Sequence, residues 1–527
     1  MLASFLTRAM RALAASLFLA LAGCATLPAT PPADRVESRA PTDTGDTRIG
    51  RGATRLAAPH AGLNGVRALL DAREAFVARY LLALGADRSI DVQTYIWRSD
   101  TSGNLLAEAL WDAAERGVRV RVLLDDANTS GLDDMIAALD AHPHIEVRLF
   151  NPFANRTWRL GDLAVDFGRV NRRMHNKAFV VDNQAAVVGG RNVGDEYLGA
   201  DTPVAFTDLD VMAIGPVVPE VSSVFDRYWN SASAWPAAAL LAPPPQGTLE
   251  ATRRRWAEHR QRAEAVRYLE AVRKLPLLAQ MMAGTLPLDW VAARVVSDDP
   301  AKVLQAGGRH GSPLLPALEE AFGNARHELQ LVSPYFVPGR GGTDKLLAIT
   351  ARGVEVSVLT NSLAATDVGP VYSGYARYRQ ELLRGGVRIF ELKPAAAPPG
   401  TDDDDVRRGS FGGSTGGSSS ASLHAKTFAA DRSRVFVGSF NIDPRSIALN
   451  TEMGLVLESP ALAGLLADAF RDTIPRDAYE VRLEGSQVVW MDRTAQGELR
   501  HTRTPETGVL RTLWMGLLSL LPIEWLL

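Results

Sequence analysis

Met174-His175-Asn176-Lys177-Ala178-Phe179-Val180-Val181-Asp182, closed by Gly189-Gly190-Arg191-Asn192, returns 249 residues later as Leu423-His424-Ala425-Lys426-Thr427-Phe428-Ala429-Ala430-Asp431 with Gly438-Ser439-Phe440-Asn441. Counted from either histidine, lysine stands at +2, aspartate at +7, glycine at +14 and asparagine at +17. Six lysines among 57 basic residues, and nine histidines in all, make two of each in matched positions a poor accident. Side chains two apart in a strand share a face, so His175 projects with Lys177 and His424 with Lys426. The apolar runs 178–181 and 185–188 then complete a strand pair that turns at Asp182-Asn183.

Outward from these stretches, the rest of the chain repeats in the same order. Leu329 to Val337 matches Ile90 to Trp97, Arg352-Gly353-Val354-Glu355-Val356 repeats Arg116-Gly117-Val118-Arg119-Val120, and Val387-Arg388-Ile389-Phe390 repeats Val147-Arg148-Leu149-Phe150. Strand, helix, strand in this rhythm predicts an α/β class, with two copies of one domain rather than a solenoid. The first copy is expected over 59–240 and the second over 301–505, joined by a helical connector at 241–300 whose Arg253-Arg254-Arg255 reads as a solvated face. Val66, Leu69, Leu70, Phe76, Tyr80 and Leu81 recur at helical spacing at the start of the first copy. Residues 394–421, with Asp402 to Asp405 and a Gly/Ser run, read as a mobile loop.

The ends carry a different signal. Arg8 and Arg11 precede an eleven-residue apolar stretch, Ala12 to Ala22, half the length of a membrane span, and Leu21-Ala22-Gly23-Cys24 resembles a bacterial lipoprotein processing site. Residues 1–23 are thus expected as a signal peptide, Cys24 as a lipid anchor in the cell envelope facing the periplasm, and 24–58 as a flexible tether. Ala25 is compatible with outer-membrane sorting; outer and inner membrane both stay open. The apolar segment 506–527, interrupted by Pro522 and Glu524, is either interfacial or packed on the second copy.

Composition narrows the function. With 46% hydrophobic and 22% charged residues the chain can bury two cores, and a net charge of −3, or −5 once Arg8 and Arg11 are removed, excludes a global polycation for nucleic acid. A single cysteine excludes an intrachain disulfide framework and cysteine-based zinc or iron–sulfur sites, so no cofactor or metal is expected. Two imidazoles, two ammoniums and the amides of Asn192 and Asn441 suit a tetrahedral anion, and Gly189 and Gly438 let a backbone approach it. One histidine would attack phosphorus, the other protonate the leaving oxygen, and the lysines neutralise the non-bridging oxygens.

His-x-Lys-x-x-x-x-Asp twice in one chain, each followed by Gly-(Ser/Gly)-x-Asn, resembles the phospholipase D superfamily and, within it, the lipoprotein-like branch of the bacterial cardiolipin synthases. Asp91 to Trp97, Asn151-Pro152-Phe153, Asn171-Arg172-Arg173-Met174, Asp195-Glu196-Tyr197 and Ser333-Pro334-Tyr335-Phe336 extend the likeness. The resemblance implies duplicated α/β/α sandwich domains sharing one active site at their interface, and metal-independent chemistry through a phosphohistidine. It implies His175 as nucleophile, His424 as general acid, Glu452 holding His175, and Asp208, with Asp210 as competitor, holding His424. Ser439 would join Asn192 and Asn441 at the phosphate, Gly190 would lack that hydroxyl, and Asp182 and Asp431 would be structural. The implied partners are membrane phospholipids, phosphatidylglycerol and a second such as phosphatidylethanolamine. Hydrolysis to phosphatidic acid, a periplasmic nuclease and an inactive lipid-binding scaffold are the alternatives, the duplicated motif and the lipoprotein signal weighing against a nuclease.

Overall fold

The computed structural model describes residues 27, 31–32, 35–200, 205–305, 312–394, 421–494 and 496–508; Cys24, the loop expected at 394–421 beyond its first and last residues, and residues 509–527 lie outside them. In the first half the strands are β1 (Asn64–Leu69), β2 (Ser89–Thr94), β3 (Arg119–Asp125), β4 (Ile145–Phe150), β5 (Ala178–Val181), β6 (Ala185–Gly189), β7 (Ala205–Thr207), β8 (Asp210–Ile214), β9 (Ala234–Pro236) and β10 (Asp289–Val291). The second half has β11 (Ala293–Ser297), β12 (Glu328–Val332), β13 (Glu355–Asn361), β14 (Arg388–Leu392), β15 (Ala421–Leu423), β16 (Lys426–Ala430), β17 (Arg434–Gly438), β18 (Met453–Leu457), β19 (Ala478–Glu484), β20 (Gln487–Thr494) and β21 (Gly497–His501).

Among the described residues these form a nine-stranded sheet, β10-β1-β8-β6-β5-β2-β3-β4-β9, and a ten-stranded sheet, β11-β18-β17-β16-β12-β13-β14-β19-β20-β21. In each, three parallel strands adjoin an antiparallel pair: β2-β3-β4 with β5-β6, and β12-β13-β14 with β16-β17. The parallel strands are buried almost throughout, as strands covered on both faces must be. Helices Ala72–Gly85 and Thr101–Glu115 cover the outer face of the first sheet, their N-termini capped by Asp71 and Asp100. An apolar cluster common to both halves, with Met174, Val188 and Phe225 against Val437, Met453 and Leu455, packs the copies together.

This architecture sets the catalytic edge. The C-terminal ends of β2, β3 and β4 and the start of the antiparallel β5 lie on one side of the sheet, and β12 to β14 with β16 repeat the arrangement. Both histidines precede those antiparallel strands. The tight turns after them run through positive φ, at Asp182 and Asn183 and again at Asp431 and Arg432.

Three sequence expectations are corrected. Residues 64–69 are a strand, not the start of a helix: antiparallel pairing to β8 and β10 outweighs the chance helical spacing, and the helix begins at Ala72. The tether ends well before residue 58. Arg35 donates to the carbonyl of Asn230 at 2.9 Å and to that of Ala234 at 3.1 Å, Ala40 N bonds Asp226, and Arg48–Ala57 is a helix capped by Thr47. The connector is helical only over 248–283, because residues 289–297 add one strand to each sheet and so stitch the halves together. Its Arg253 to Arg255 are exposed. Among the described residues no helix is long and apolar enough to cross a membrane.

Candidate active site

Each histidine is delivered by its own half and gripped by the other. His175 N donates to Thr451 O at 2.9 Å and Thr451 N to Arg173 O at 2.9 Å, so the first motif pairs as a short parallel bridge with the residue before Glu452. In the second half β15 pairs in parallel with β7, and both His424 N and Ala425 N donate to Thr207 O, one residue before Asp208. The crossed pairing makes each carboxylate meet the opposite histidine: Glu452 Oε2 lies 2.9 Å from His175 Nδ1, and Asp208 Oδ2 lies 2.6 Å from His424 Nδ1. Asp210, the competing carboxylate, instead pairs with Arg79 at 2.9 Å and accepts from Arg191 N.

The tautomers follow from these partners. His175 Nδ1 faces two acceptors, Glu452 and the carbonyl of Ser439 at 3.1 Å, so its proton belongs on Nδ1 and Nε2 keeps its lone pair. Burial and then the nearby charges of Lys177 and Lys426 hold the His175 pKa well below the ordinary histidine range. His424 is likewise depressed, by burial and Lys426 against the pull of Asp208. Tyr95 meets the His175 ring edge-on at 5.1 Å; Tyr197 at 5.3 Å and Phe206 at 5.2 Å frame His424.

Both lysines are buried and depressed, chiefly by burial, Lys426 to about 8 and Lys177 well below its usual value. Lys177 Nζ donates to the carbonyl of His175 at 2.6 Å and lies 5.3 Å over the Tyr95 ring, and Lys426 Nζ bonds the carbonyl of His424. Asn192 accepts from Ile96 N at 3.2 Å, its amide nitrogen buried beside Tyr197 without a well-formed hydrogen bond, and Asn441 Oδ1 is buried without a partner. The Asn192 N–H is a donor that an anionic ligand oxygen could complete, whereas the Asn441 oxygen, an acceptor, calls for a donating group.

Ser439 and the glycines differ from expectation. The Ser439 hydroxyl donates to Glu452 Oε2 at 2.5 Å and accepts from Met453 N at 3.0 Å, so it braces a carboxylate rather than facing the pocket. A Cβ on Gly190 would lie 2.2 Å from Asp208 Oδ1: where one half has a hydroxyl, the other brings its carboxylate against bare backbone. Cβ atoms on Gly189 and Gly438 would strike Asp210 and the backbone of Met453, which ties these glycines to sheet packing and not to an anion. Asp182 and Asp431 lie at the far ends of their strands, binding the backbone amides of 87–89 and of 326–328.

Several supports carried no motif. Asp125, at the end of β3, accepts from Met174 N at 2.7 Å, and Asn361, at the end of β13 and related to Asp125 by the 236-residue offset that also relates Arg352 to Arg116, bonds Leu423 N and O at 3.0 Å. Ser446 donates to Glu452 Oε1 at 2.9 Å. Lys302 bridges Asp298 and the carbonyl of Ser446, while Asp298 accepts from Glu452 N; only its rarity as a lysine marked it in the sequence. Among the described residues no group of three or more His, Cys, Asp or Glu is placed to hold a metal ion.

Duplicated sheets with crossed histidine–carboxylate pairs at their junction define a phospholipase D-like protein, and residues 83–229 and 318–474 each match the family described as "Cardiolipin synthase, PLD-like domain", to which the chain belongs. It is 46% identical to cardiolipin synthase C of Escherichia coli K12 over 474 residues, 90% of this chain and 98% of that protein. It is 27% identical over 435 residues to cardiolipin synthase A of Pseudomonas aeruginosa, covering 80% of this chain and 71% of that one. Its fold resembles the crystal structure of phosphatidylserine synthase from Haemophilus influenzae, with a TM-score of 0.54 and 13% identity over 90% of this chain and all of that one.

Proposed function

We propose that this protein is a phosphatidyltransferase that forms cardiolipin from phosphatidylglycerol and a second phospholipid through a phosphohistidine. The observation that carries the reading is the crossed pair of buried imidazoles, each with its Nδ1 on a carboxylate of the other half and an ammonium two residues away.

His175 Nε2, unprotonated, attacks phosphorus of the first phospholipid; the P–O bond to the departing alcohol breaks, and His424 gives that oxygen its proton. The arriving phosphodiester adds negative charge to that of Asp208, raising His424 toward the protonated state this step needs. Neutral His424 then takes the proton of a phosphatidylglycerol hydroxyl, whose oxygen displaces His175 from phosphorus. Lys177 and Lys426, with the Asn192 and Asn441 amides, hold the non-bridging oxygens as charge builds on them. Asp208 supports the imidazolium of His424, as carboxylates behind histidines do. Water in place of the alcohol would give phosphatidic acid, so exclusion of water decides between transfer and hydrolysis.

Lipid mass spectrometry after incubating the full-length enzyme in EDTA with phosphatidylglycerol vesicles, with and without phosphatidylethanolamine, tests this. Cardiolipin is expected and should be absent with His175→Ala. Phosphatidic acid alone would make the enzyme a hydrolase, and activity lost to EDTA and restored by a divalent ion would overturn the metal-free mechanism. Anchoring through Cys24 to an envelope membrane, facing the periplasm, belongs to the same proposal; a Cys24→Ala variant should become extractable from membranes by alkaline carbonate, which strips reversible interfacial contacts.

A further inference from the structure

The connection from β4 to β5 starts from the catalytic edge at Asn151 and ends on it at Met174. Its polarity is inverted. Trp158 is 52% exposed, Leu160 52%, Val165 62% and Phe167 40%, four of the twelve exposed large hydrophobics found among the described residues, within ten positions. Most of the charged side chains beside them turn inward; Asp166, 48% exposed and paired with Arg169, is the exception. Buried Asp162 accepts from Asn155 N at 3.0 Å, Arg156 pairs with Asp126 and Asp133, and Arg159 donates to the carbonyl of Asp126 at 2.7 Å. Gly161 lets the Trp158 indole lie on the backbone, since a Cβ there would sit 2.5 Å from the ring. The segment is therefore braced to the body by its charges while presenting apolar groups to the outside, opposite to an ordinary water-facing surface.

We infer that Trp158, Leu160 and Val165 form a membrane-docking surface that seats the catalytic mouth in the interfacial layer of a phospholipid bilayer. A bilayer is favoured over a protein occupant by position and by chemistry. The segment runs straight into Met174 and His175, and Arg445 of the second half clasps Asn171 at 2.8 and 2.6 Å, so the surface is rigidly tied to the site that lipid must enter. An indole with aliphatic neighbours suits the headgroup boundary, and burying this set stabilises the bound state without spanning the bilayer. The inference rests on the phospholipid reading above.

The test uses full-length enzyme with phosphatidylglycerol and phosphatidylethanolamine vesicles whose acyl chains are brominated near the headgroup. Wild-type tryptophan fluorescence should be quenched, and Trp158→Phe should lose a measurable part of that quenching; identical quenching in both overturns the inference. The double variant Trp158→Asp with Leu160→Asp should lose about tenfold or more in turnover of vesicle lipid, yet stay within about twofold on monomeric dihexanoyl phosphatidylglycerol. Equal loss on both substrates, or none on either, would overturn it, as would a change of oligomeric state in the double variant with quenching unaltered, which would assign the surface to a second copy. Trp158-dependent quenching in an enzyme that turns over neither lipid would leave the docking surface standing and remove the phosphatidyltransferase reading.

Discussion

The two halves present the same histidine, lysine and asparagine on the same strand frame, but they brace them differently. On the His175 side the carboxylate is long and fully clasped: Glu452 receives Ser439 on one oxygen, Ser446 on the other, and His175 beside Ser439. On the His424 side it is short and nearly bare, Asp208 bonding His424 and the amide of Leu209, with Gly190 pressed against it where Ser439 would stand. Their charge differs accordingly. Burial pushes Glu452 up to about 7 against Lys177 and the serines, whereas for Asp208 the opposing pull of His424, Lys426 and Arg191 overcomes burial and holds it well below the usual carboxylate range. A carboxylate that stays ionised stabilises an imidazolium; one near half-protonation does so less, and leaves its histidine a neutral nucleophile. On the mechanism proposed above, this difference would suit His175 to attack and His424 to proton transfer.

The comparison breaks most decisively at the histidines. His175→Ala and His424→Ala should each lower transfer by about three orders of magnitude or more, since neither role has a substitute. The two separate on a phosphatidyl ester whose leaving group departs without a proton: His424→Ala should then still form the phosphoenzyme, detected by intact mass after a non-acidic quench, and His175→Ala should not. Phosphoenzyme in His175→Ala would reverse the assignment.

The carboxylates give the next largest difference. Asp208→Asn removes a full charge behind His424 and should cost about a hundredfold or more in kcat, while Glu452→Gln, which keeps the size and the serine contacts of a group already near neutrality, should cost about tenfold. Equal losses would mean that the two carboxylates work alike. The bracing itself is worth less. Gly190→Ser should force Asp208 off His424 and destabilise the fold by about 1–3 kcal/mol, the cost of overpacking a filled interior. Ser439→Ala, which leaves space but removes a buried hydrogen bond, should cost about 1–2 kcal/mol. Denaturant midpoints and kcat for the pair measure both.

Much of this site was legible because its chemistry sits at fixed spacing. The +2 and +17 positions are dictated by strand alternation and a two-residue turn, so His175, Lys177 and Asn192 could be placed together from residue numbers alone. The crossing of the halves was legible only through the family resemblance, which gave Glu452 to His175 and Asp208 to His424; local pattern is silent on it, because β7 and β15 are three residues each and pair only with one another. Nor could Ser439 be told from a phosphate ligand: a hydroxyl beside a glycine reads the same whether it turns to a substrate or, as here, to Glu452. Residues 64–69 misled for a related reason, an antiparallel strand whose partners lie some 150 and 225 residues away in sequence leaving no local trace.

The smallest effect tests the lysines, and it too should be lopsided. Lys426 is brought down to about 8, first by burial, with Asp208 and Glu452 acting to raise it, so its ammonium is present below that pH and lost above it. The charge that neutralises the non-bridging oxygens therefore disappears as pH rises, and kcat/KM should fall along an alkaline limb beginning near 8. An ester with a self-departing leaving group keeps the protonation of His424 out of the profile, leaving the fall near 8 to the lysines beside the titration of Glu452 near 7. Lys426→Arg cannot titrate in this range and should show a lower plateau, by about tenfold because a guanidinium does not fit the ammonium's place, but no limb near 8. Lys177 is also depressed by burial, so Lys177→Arg should change the plateau while the limb that belongs to Lys426 stays near 8. A limb that persists unchanged in Lys426→Arg would place the titrating group elsewhere and remove the last difference between the two halves.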